Sequence, residues 1–207
     1  MLFYFVVVNH EYFLCYHISV TKYIFDFDDV LFFNTEKFKK HMYKCFEEVG
    51  VSYDTVKKYY KIEKEKGWVL SNLVGSVLNG EDITSISKKE LTGKIMGECK
   101  NFVNNELVDR IKQLDVQDCY MVTHGIKEYQ LEKVNRTDLG SLFTKIFTVL
   151  DTKKGPVEMV CEQFKDDEVV FVDDKEKRFA DLDFVKYPNL RKVLYVGAES
   201  NDEIFNK

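Results

Sequence analysis

The chain has 207 residues, 45% of them hydrophobic and 31% charged, with only 2 Pro and 10 Gly. This composition excludes disordered, collagen-like and disulfide-scaffold classes and is enough for one domain with a sizeable insertion. Thirty Lys and Arg against 35 Asp and Glu give a formal charge of −5 without any basic run, which argues against a nucleic-acid partner.

The apolar opening, Leu2 to Val8, is too short to cross a membrane, and Asn9, His10 and Glu11 interrupt it before Tyr12 resumes. It also lacks the basic start of a signal peptide. Residues 1–20 read either as a hairpin around Asn9-His10-Glu11 or as an extension ahead of the true domain. The five cysteines, Cys15, Cys45, Cys99, Cys119 and Cys161, form no C-x-x-C pair, so neither a zinc knuckle nor a redox motif is indicated. A reduced, cytoplasmic protein is expected.

From Thr21 onward, strands alternate with helices, the pattern of a parallel α/β sheet. Five apolar runs are expected as strands: Lys22 to Phe27, Cys119 to Thr123, Ile146 to Leu150, Glu168 to Val172, and Lys192 to Val196. A run such as Val169-Val170-Phe171-Val172 suits a strand covered on both faces. Between the first two runs lies a stretch too long for one crossover helix, since Asp26 and Thr123 are 97 positions apart. It reads as helical throughout. Phe38, Met42, Cys45, Phe46 and Val49 share one helical face ahead of Gly50, a C-terminal stop. Ser87-Lys88-Lys89-Glu90 is a capping box, with Leu91, Ile95, Cys99 and Phe102 at helical spacing behind it. Later in the chain, Pro156 suits a first helical position, followed by Val157, Val160, Cys161 and Phe164 on one face.

Polar residues follow four of these β runs: Asp26-Phe27-Asp28-Asp29, Thr123, Lys153-Lys154 and Asp173-Asp174. Right-handed crossovers bring the C-terminal ends of parallel strands to one edge, where open α/β sheets bind ligands. Several carboxylates converging there repel unless a cation compensates, and Mg²⁺ suits carboxylate together with phosphate oxygens. Lys and Thr supply a point charge and a neutral donor for the phosphate. The constellation reads as a Mg²⁺-phosphate site.

At these four positions the sequence resembles the haloacid dehalogenase-like (HAD) hydrolases. Asp26-Phe27-Asp28-Asp29-Val30-Leu31 matches the first motif of that superfamily, Thr123 the second, Lys153-Lys154 the third and Asp173-Asp174 the fourth, in the right order over about residues 21–197. The resemblance implies a Rossmannoid three-layer α/β fold, with a parallel sheet of about five strands in the order 5-4-1-2-3 and an inserted α-helical cap of type 1. The division it implies is an N-terminal extension 1–20, a core formed by 21–33 and 112–207, and a helical cap 34–111. It further implies a phosphatase acting on a small phosphorylated metabolite through an aspartyl-phosphate. Asp26 would be the nucleophile, and Asp28 the general acid and then the base. Thr123 and Lys154 would hold the phosphoryl oxygens, helped by backbone amides at Phe27-Asp28 and His124-Gly125. Asp26, the Asp28 carbonyl, Asp174 and Asp173 would bind Mg²⁺. A phosphomutase and a non-hydrolytic phospho-binding module are the alternatives. Asp28 favours phosphate transfer, because the dehalogenases of the superfamily lack this second carboxylate.

Three points depart from the family pattern or stay open. Asp29 stands where many relatives have Gly, and it has no role that the sequence explains. Lys154 is preferred as the motif lysine because Lys-Gly before a helix is a common form, with Lys153 as the alternative. No Asn or further Asp follows Asp173-Asp174 within Lys175-Glu176-Lys177-Arg178. His124 is expected at a structural or substrate-edge position, and Trp68 in the core of the helical cap.

Overall fold

A computed structural model describes residues 3–8, 11–16 and 20–205. The first two strands, β1 (Phe3–Val8) and β2 (Glu11–Tyr16), form an antiparallel pair in register from Phe3↔Tyr16 to Val8↔Glu11. Of the expected turn, Glu11 falls in β2, while Asn9 and His10 lie outside the described residues.

The main sheet has five parallel strands: β3 (Lys22–Phe25), β4 (Cys119–His124), β5 (Lys145–Val149), β6 (Val169–Asp173) and β7 (Leu190–Leu194). Their spatial order is β5-β4-β3-β6-β7, the expected 5-4-1-2-3 arrangement read from the opposite edge. The last strand starts two residues earlier than expected and ends at Leu194, paired with Asp173, and Val196 is exposed. The sheet edge is set by its neighbour β6, and the apolar run alone did not reveal that limit.

Side chains alternate between two cores, as the period of a strand demands. Tyr23, Phe25, Met121, Val170 and Val172 face one, while Ile24, Tyr120, Val122, Val169 and Phe171 face the other. The second core is covered by α7 (Lys154–Gln163) through Val157, Val160 and Cys161, with Phe179 and Leu182 from the chain after β6. Pro156 is the third residue of α7 rather than the first, because the helix begins at Lys154. The position is harmless to the helix, since N–H groups of the first turn have no intrahelical partner.

The first core extends into the helical segment between β3 and β4. That segment contains α1 (Lys39–Glu47), α2 (Tyr53–Glu65), α3 (Leu70–Gly80), α4 (Lys88–Gly97) and α5 (Asn105–Ile111). Phe38, Met42, Phe46, Val56, Leu73, Val77, Leu91, Ile95 and Leu107 are all buried in this one cluster together with the sheet residues. Two local signals act as their sequence predicts. Gly50 takes φ +87 in the turn after α1, and Ser87 and Glu90 exchange hydrogen bonds in a complete capping box. Helix α4 stops at Gly97, so Cys99 and Phe102 sit on a following 3₁₀ turn rather than on the same helix. Glycine is a poor helix former, and Gly93 and Gly97 weaken this end. On the same side of the sheet lie α6 (Lys127–Thr137) and α8 (Ser200–Phe205), through Tyr129, Val134 and Ile204. Among the described residues, no helix is long and apolar enough to cross a membrane.

Cys45, Cys99, Cys119 and Cys161 are buried and unpaired. Burial pushes the thiols of Cys119 and Cys161 up to about 12 and that of Cys99 up to about 11, so they pack as small apolar groups.

One buried side chain ties the end of the helical segment to the chain beyond β3 and to the chain beyond β7. Asn104 donates through Nδ2 to the Val30 carbonyl at 2.9 Å and to the Tyr195 hydroxyl at 2.6 Å, while its Oδ1 caps α5 at the Leu107 amide. Asn104→Ala removes all three bonds and leaves the Val30 carbonyl buried. The expected loss is about 2–3 kcal/mol of unfolding free energy in urea titrations, and a loss below about 0.5 kcal/mol would contradict this reading.

Candidate active site

Strand β3 delivers Asp26 directly to the C-terminal edge of the sheet, where the Asp26 amide still pairs with the Val172 carbonyl of β6 at 2.9 Å. Its side chain is 7% exposed. One oxygen accepts from the Phe27 amide at 2.6 Å, and the other lies 2.7 Å from the ammonium of Lys153. Asp173, at the end of β6, is fully buried and reaches the same ammonium at 2.5 Å. Lys153 thus bridges the ends of two adjacent strands, with its own side chain 1% exposed. Carboxylate oxygens of Asp26, Asp173 and Asp174 all lie within 4.8 Å of one another.

The lysine in this position is Lys153, the alternative that the sequence left open. Lys154 points along α7 toward Glu158, at 3.7 Å, with its side chain 43% exposed. The expectation for Lys154 is therefore corrected: Lys153 is the residue before α7 and faces the strand ends, whereas Lys154 already belongs to the outer surface of the helix. Missing from the sequence reading were the groups that orient the fourth motif. Asp173 accepts from the Lys175 amide at 2.9 Å, and Asp174 pairs with the Lys175 ammonium at 2.6 Å.

Asp29 has φ +65, a left-handed conformation in which Asp is among the better tolerated residues after Gly. Its carboxylate also receives the Thr35 amide at 2.7 Å and the Thr35 hydroxyl at 2.6 Å. Aspartate here keeps the turn that glycine would permit and adds an anchor for the chain entering the helical segment.

Thr123 is fully buried at the end of β4, and its hydroxyl has no hydrogen-bond partner among the described residues. His124 is held near the Leu150 carbonyl, and burial, aided by the Arg178 and Lys153 cations, keeps its imidazole below the ordinary range. The Gly125 amide donates to the Val149 carbonyl at 2.8 Å, so the sheet consumes this donor and it is not offered to a phosphate. The Phe27 amide is likewise engaged by Asp26.

Two contiguous cavities meet at this edge. One, of about 330 Å³, is lined by Asp26, Asp28 and Asp29 and by the cations Lys64, Lys175 and Arg178. The other, of about 340 Å³, lies between Tyr60 and Trp68 of the helical segment and Ile126 and Tyr129 of the core. Asp28, Asn34, Lys64 and His124 line both. Trp68, expected as interior packing, is at the wall of the second cavity, between the rings of Tyr60 at 5.5 Å and Tyr129 at 5.0 Å. Neither Lys64 nor Arg178 was among the residues expected at the site.

The donor set at Asp26, Asp173 and Asp174 fits a hard divalent cation. Three carboxylates face two ammonium groups, Lys153 and Lys175, which leaves negative charge in excess in a buried place. The Asp26 carboxyl shows the strain. Burial, with Asp173 and Asp28 adding to it and Lys153 opposing, pushes it up to about 7. Burial also raises Asp174. Without metal, the folded protein therefore keeps a proton on Asp26 in a range where the unfolded chain has lost it. The contribution of Asp26 to stability should fall as pH rises from about 4 to about 7. Asp26→Asn removes this dependence. In chelator, its melting temperature should exceed the wild-type value by roughly 4 °C at pH 8, with little difference at pH 4. A gap independent of pH would contradict the assignment.

No family model matches the chain, and neither does any curated protein. Solved structures do match. A haloacid dehalogenase-like hydrolase from Burkholderia xenovorans LB400 is 14% identical with a TM-score of 0.61, covering 84% of this chain and 83% of that one. A 2-haloacid dehalogenase from Pseudomonas syringae pv. tomato is 16% identical with a TM-score of 0.52, covering 85% and 86%. A structure described as a β-phosphoglucomutase from Thermotoga maritima is 15% identical with a TM-score of 0.50, covering 89% and 91%. The chain therefore has the fold of the haloacid dehalogenase-like hydrolases, the superfamily that its four motifs resemble.

Proposed function

We propose that the chain is a Mg²⁺-dependent phosphatase that hydrolyses a small phosphomonoester through an aspartyl-phosphate. The observation that carries this reading is the Lys153 bridge between Asp26 and Asp173, with Asp174 beside it and a second aspartate, Asp28, lining the same cavity. The fold alone does not select the reaction, since hydrolase, dehalogenase and mutase descriptions all occur among the matching structures.

In the first half of the reaction, an oxygen of Asp26 forms a bond to phosphorus as the ester P–O bond breaks, and Asp28 gives its proton to the departing alcohol. In the second half, Asp28 takes a proton from water, which attacks phosphorus and releases Asp26. Lys153 holds Asp26 in place and, with the orphaned Thr123 hydroxyl, receives phosphoryl oxygens. Lys64, Lys175 and Arg178 give the cavity the positive charge that a phosphate dianion requires. Asp26, Asp173, Asp174 and the Asp28 carbonyl would hold Mg²⁺, which, when bound, offsets charge on nucleophile and phosphate.

The leaving group would occupy the second cavity, whose walls of Tyr60, Trp68, Ile126 and Tyr129 suit a small organic body. Residues 34–111 then act as the cap that selects substrate, on a core formed by 21–33 and 112–207. A phosphomutase of this fold would form the same intermediate and shield it from water, so continuous phosphate release separates the two.

Purified protein should release phosphate from an aryl phosphate with Mg²⁺ and not with chelator, and Asp26→Asn should abolish the activity. Lys153→Met should lower kcat/KM by roughly a thousandfold, the scale of removing one electrostatic contact to the reacting group, while Lys154→Met stays within about twofold. A larger loss in Lys154→Met than in Lys153→Met would overturn the assignment of the lysine.

A further inference from the structure

A buried ammonium group on α6 has no part in the roles above. Lys133 is 1% exposed, and its side chain comes up beneath the first motif from the face of α6 that also buries Gln130, Val134 and Thr137. An unpaired charge in such a place is strongly disfavoured. Its carboxylate partner is Asp28, with Nζ 2.5 Å from Oδ1. The rings of Tyr129, Phe27 and Phe32 surround the same ammonium at 5.1, 5.4 and 5.6 Å, an arrangement that favours the cation.

The other oxygen of Asp28 is held as well. Gln130 donates through Nε2 to Oδ2 at 3.1 Å, and the same NH₂ group donates to the His124 carbonyl at 2.8 Å. The opposite orientation of the amide would set an oxygen against both acceptors, so these contacts fix it. Gly125 makes room for this arrangement: at φ +145, a Cβ there would lie 2.6 Å from Gln130 Nε2.

We infer that Lys133 and Gln130 are positioning residues that clamp both oxygens of Asp28 in the orientation its proton transfers require. The inference rests on the phosphatase reading. Asp28 lies in a turn between β3 and the helical segment, where its side chain would otherwise sample several rotamers. General acid catalysis depends on such placement, and its contribution grows with the need of the leaving group for a proton. A nitrophenolate departs readily without one. A benzyl alkoxide, similar in size, does not.

The test compares Mg²⁺-dependent hydrolysis of benzyl phosphate and para-nitrophenyl phosphate by the full chain. In Lys133→Met, kcat/KM for benzyl phosphate should fall by about a hundredfold, against less than about fivefold for the nitrophenyl ester. Gln130→Ala should show the same inequality at smaller amplitude, and it serves if Lys133→Met does not fold, as judged by circular dichroism. Equal losses on the two esters in the folded variants would assign both residues to structure alone and overturn the inference, with the phosphatase reading intact. Wild-type protein that hydrolyses neither ester would overturn the phosphatase reading and this inference with it.

Discussion

The buried ammonium of Lys153, shared between Asp26 and Asp173, is the contact on which the site depends. Two strand ends that each present a carboxylate cannot lie side by side in a dry edge without a cation between them. Lys153 supplies it from the residue that precedes α7, and thereby ties β3, β6 and α7 at one point. The compensation is incomplete. With Asp174 paired to Lys175, three carboxylates still face two ammonium groups, and burial, with Asp173 and Asp28 adding to it, raises the Asp26 carboxyl. A divalent cation would complete the balance.

Around this point the fold separates structural from chemical tasks. The alternation of side chains along β3, β4 and β6 gives the sheet two cores, so its strands have no polar face to spend. The proposed chemistry is confined to strand ends and to the residues immediately beyond them. The helical segment shares a continuous apolar core with one face of the sheet, and this packing places Tyr60 and Trp68 opposite Ile126 and Tyr129 across a cavity. That cavity opens onto the carboxylate edge through Asp28, Asn34, Lys64 and His124.

Much of the architecture was legible in the sequence because it rests on local or periodic signals. Strands buried on both faces, such as 169–172, announce themselves as apolar runs, and the Ser87–Glu90 box and Gly50 mark helix ends by chemistry that needs no partner elsewhere. Features set by long-range geometry were not legible. Lys153 and Lys154 are adjacent and chemically identical, and only the direction of α7 separates them, although Lys154 and Glu158 at i and i+4 were a signal that Lys154 belongs to an outer face. Gln130 and Lys133 look like solvated helix positions until α6 is set beneath the first motif. Their spacing with Val134 and Thr137 was the available hint that this polar pair lies on the buried stripe. Asp29 reads as surplus charge in a string of residues, and as a turn anchor once its φ and its bonds to Thr35 are known.

In the proposed reaction Asp26 forms a covalent bond to phosphorus, and acid-quenched mass spectrometry tests that bond most directly. Protein mixed with Mg²⁺ and an aryl phosphate, then quenched in acid within the first turnovers, should carry one added phosphoryl group that maps to the peptide containing Asp26. The label should be lost at alkaline pH, as an acyl phosphate is. Turnover with no phosphorylated protein under conditions that trap the intermediate, or a label that maps to a residue other than Asp26, would contradict the account.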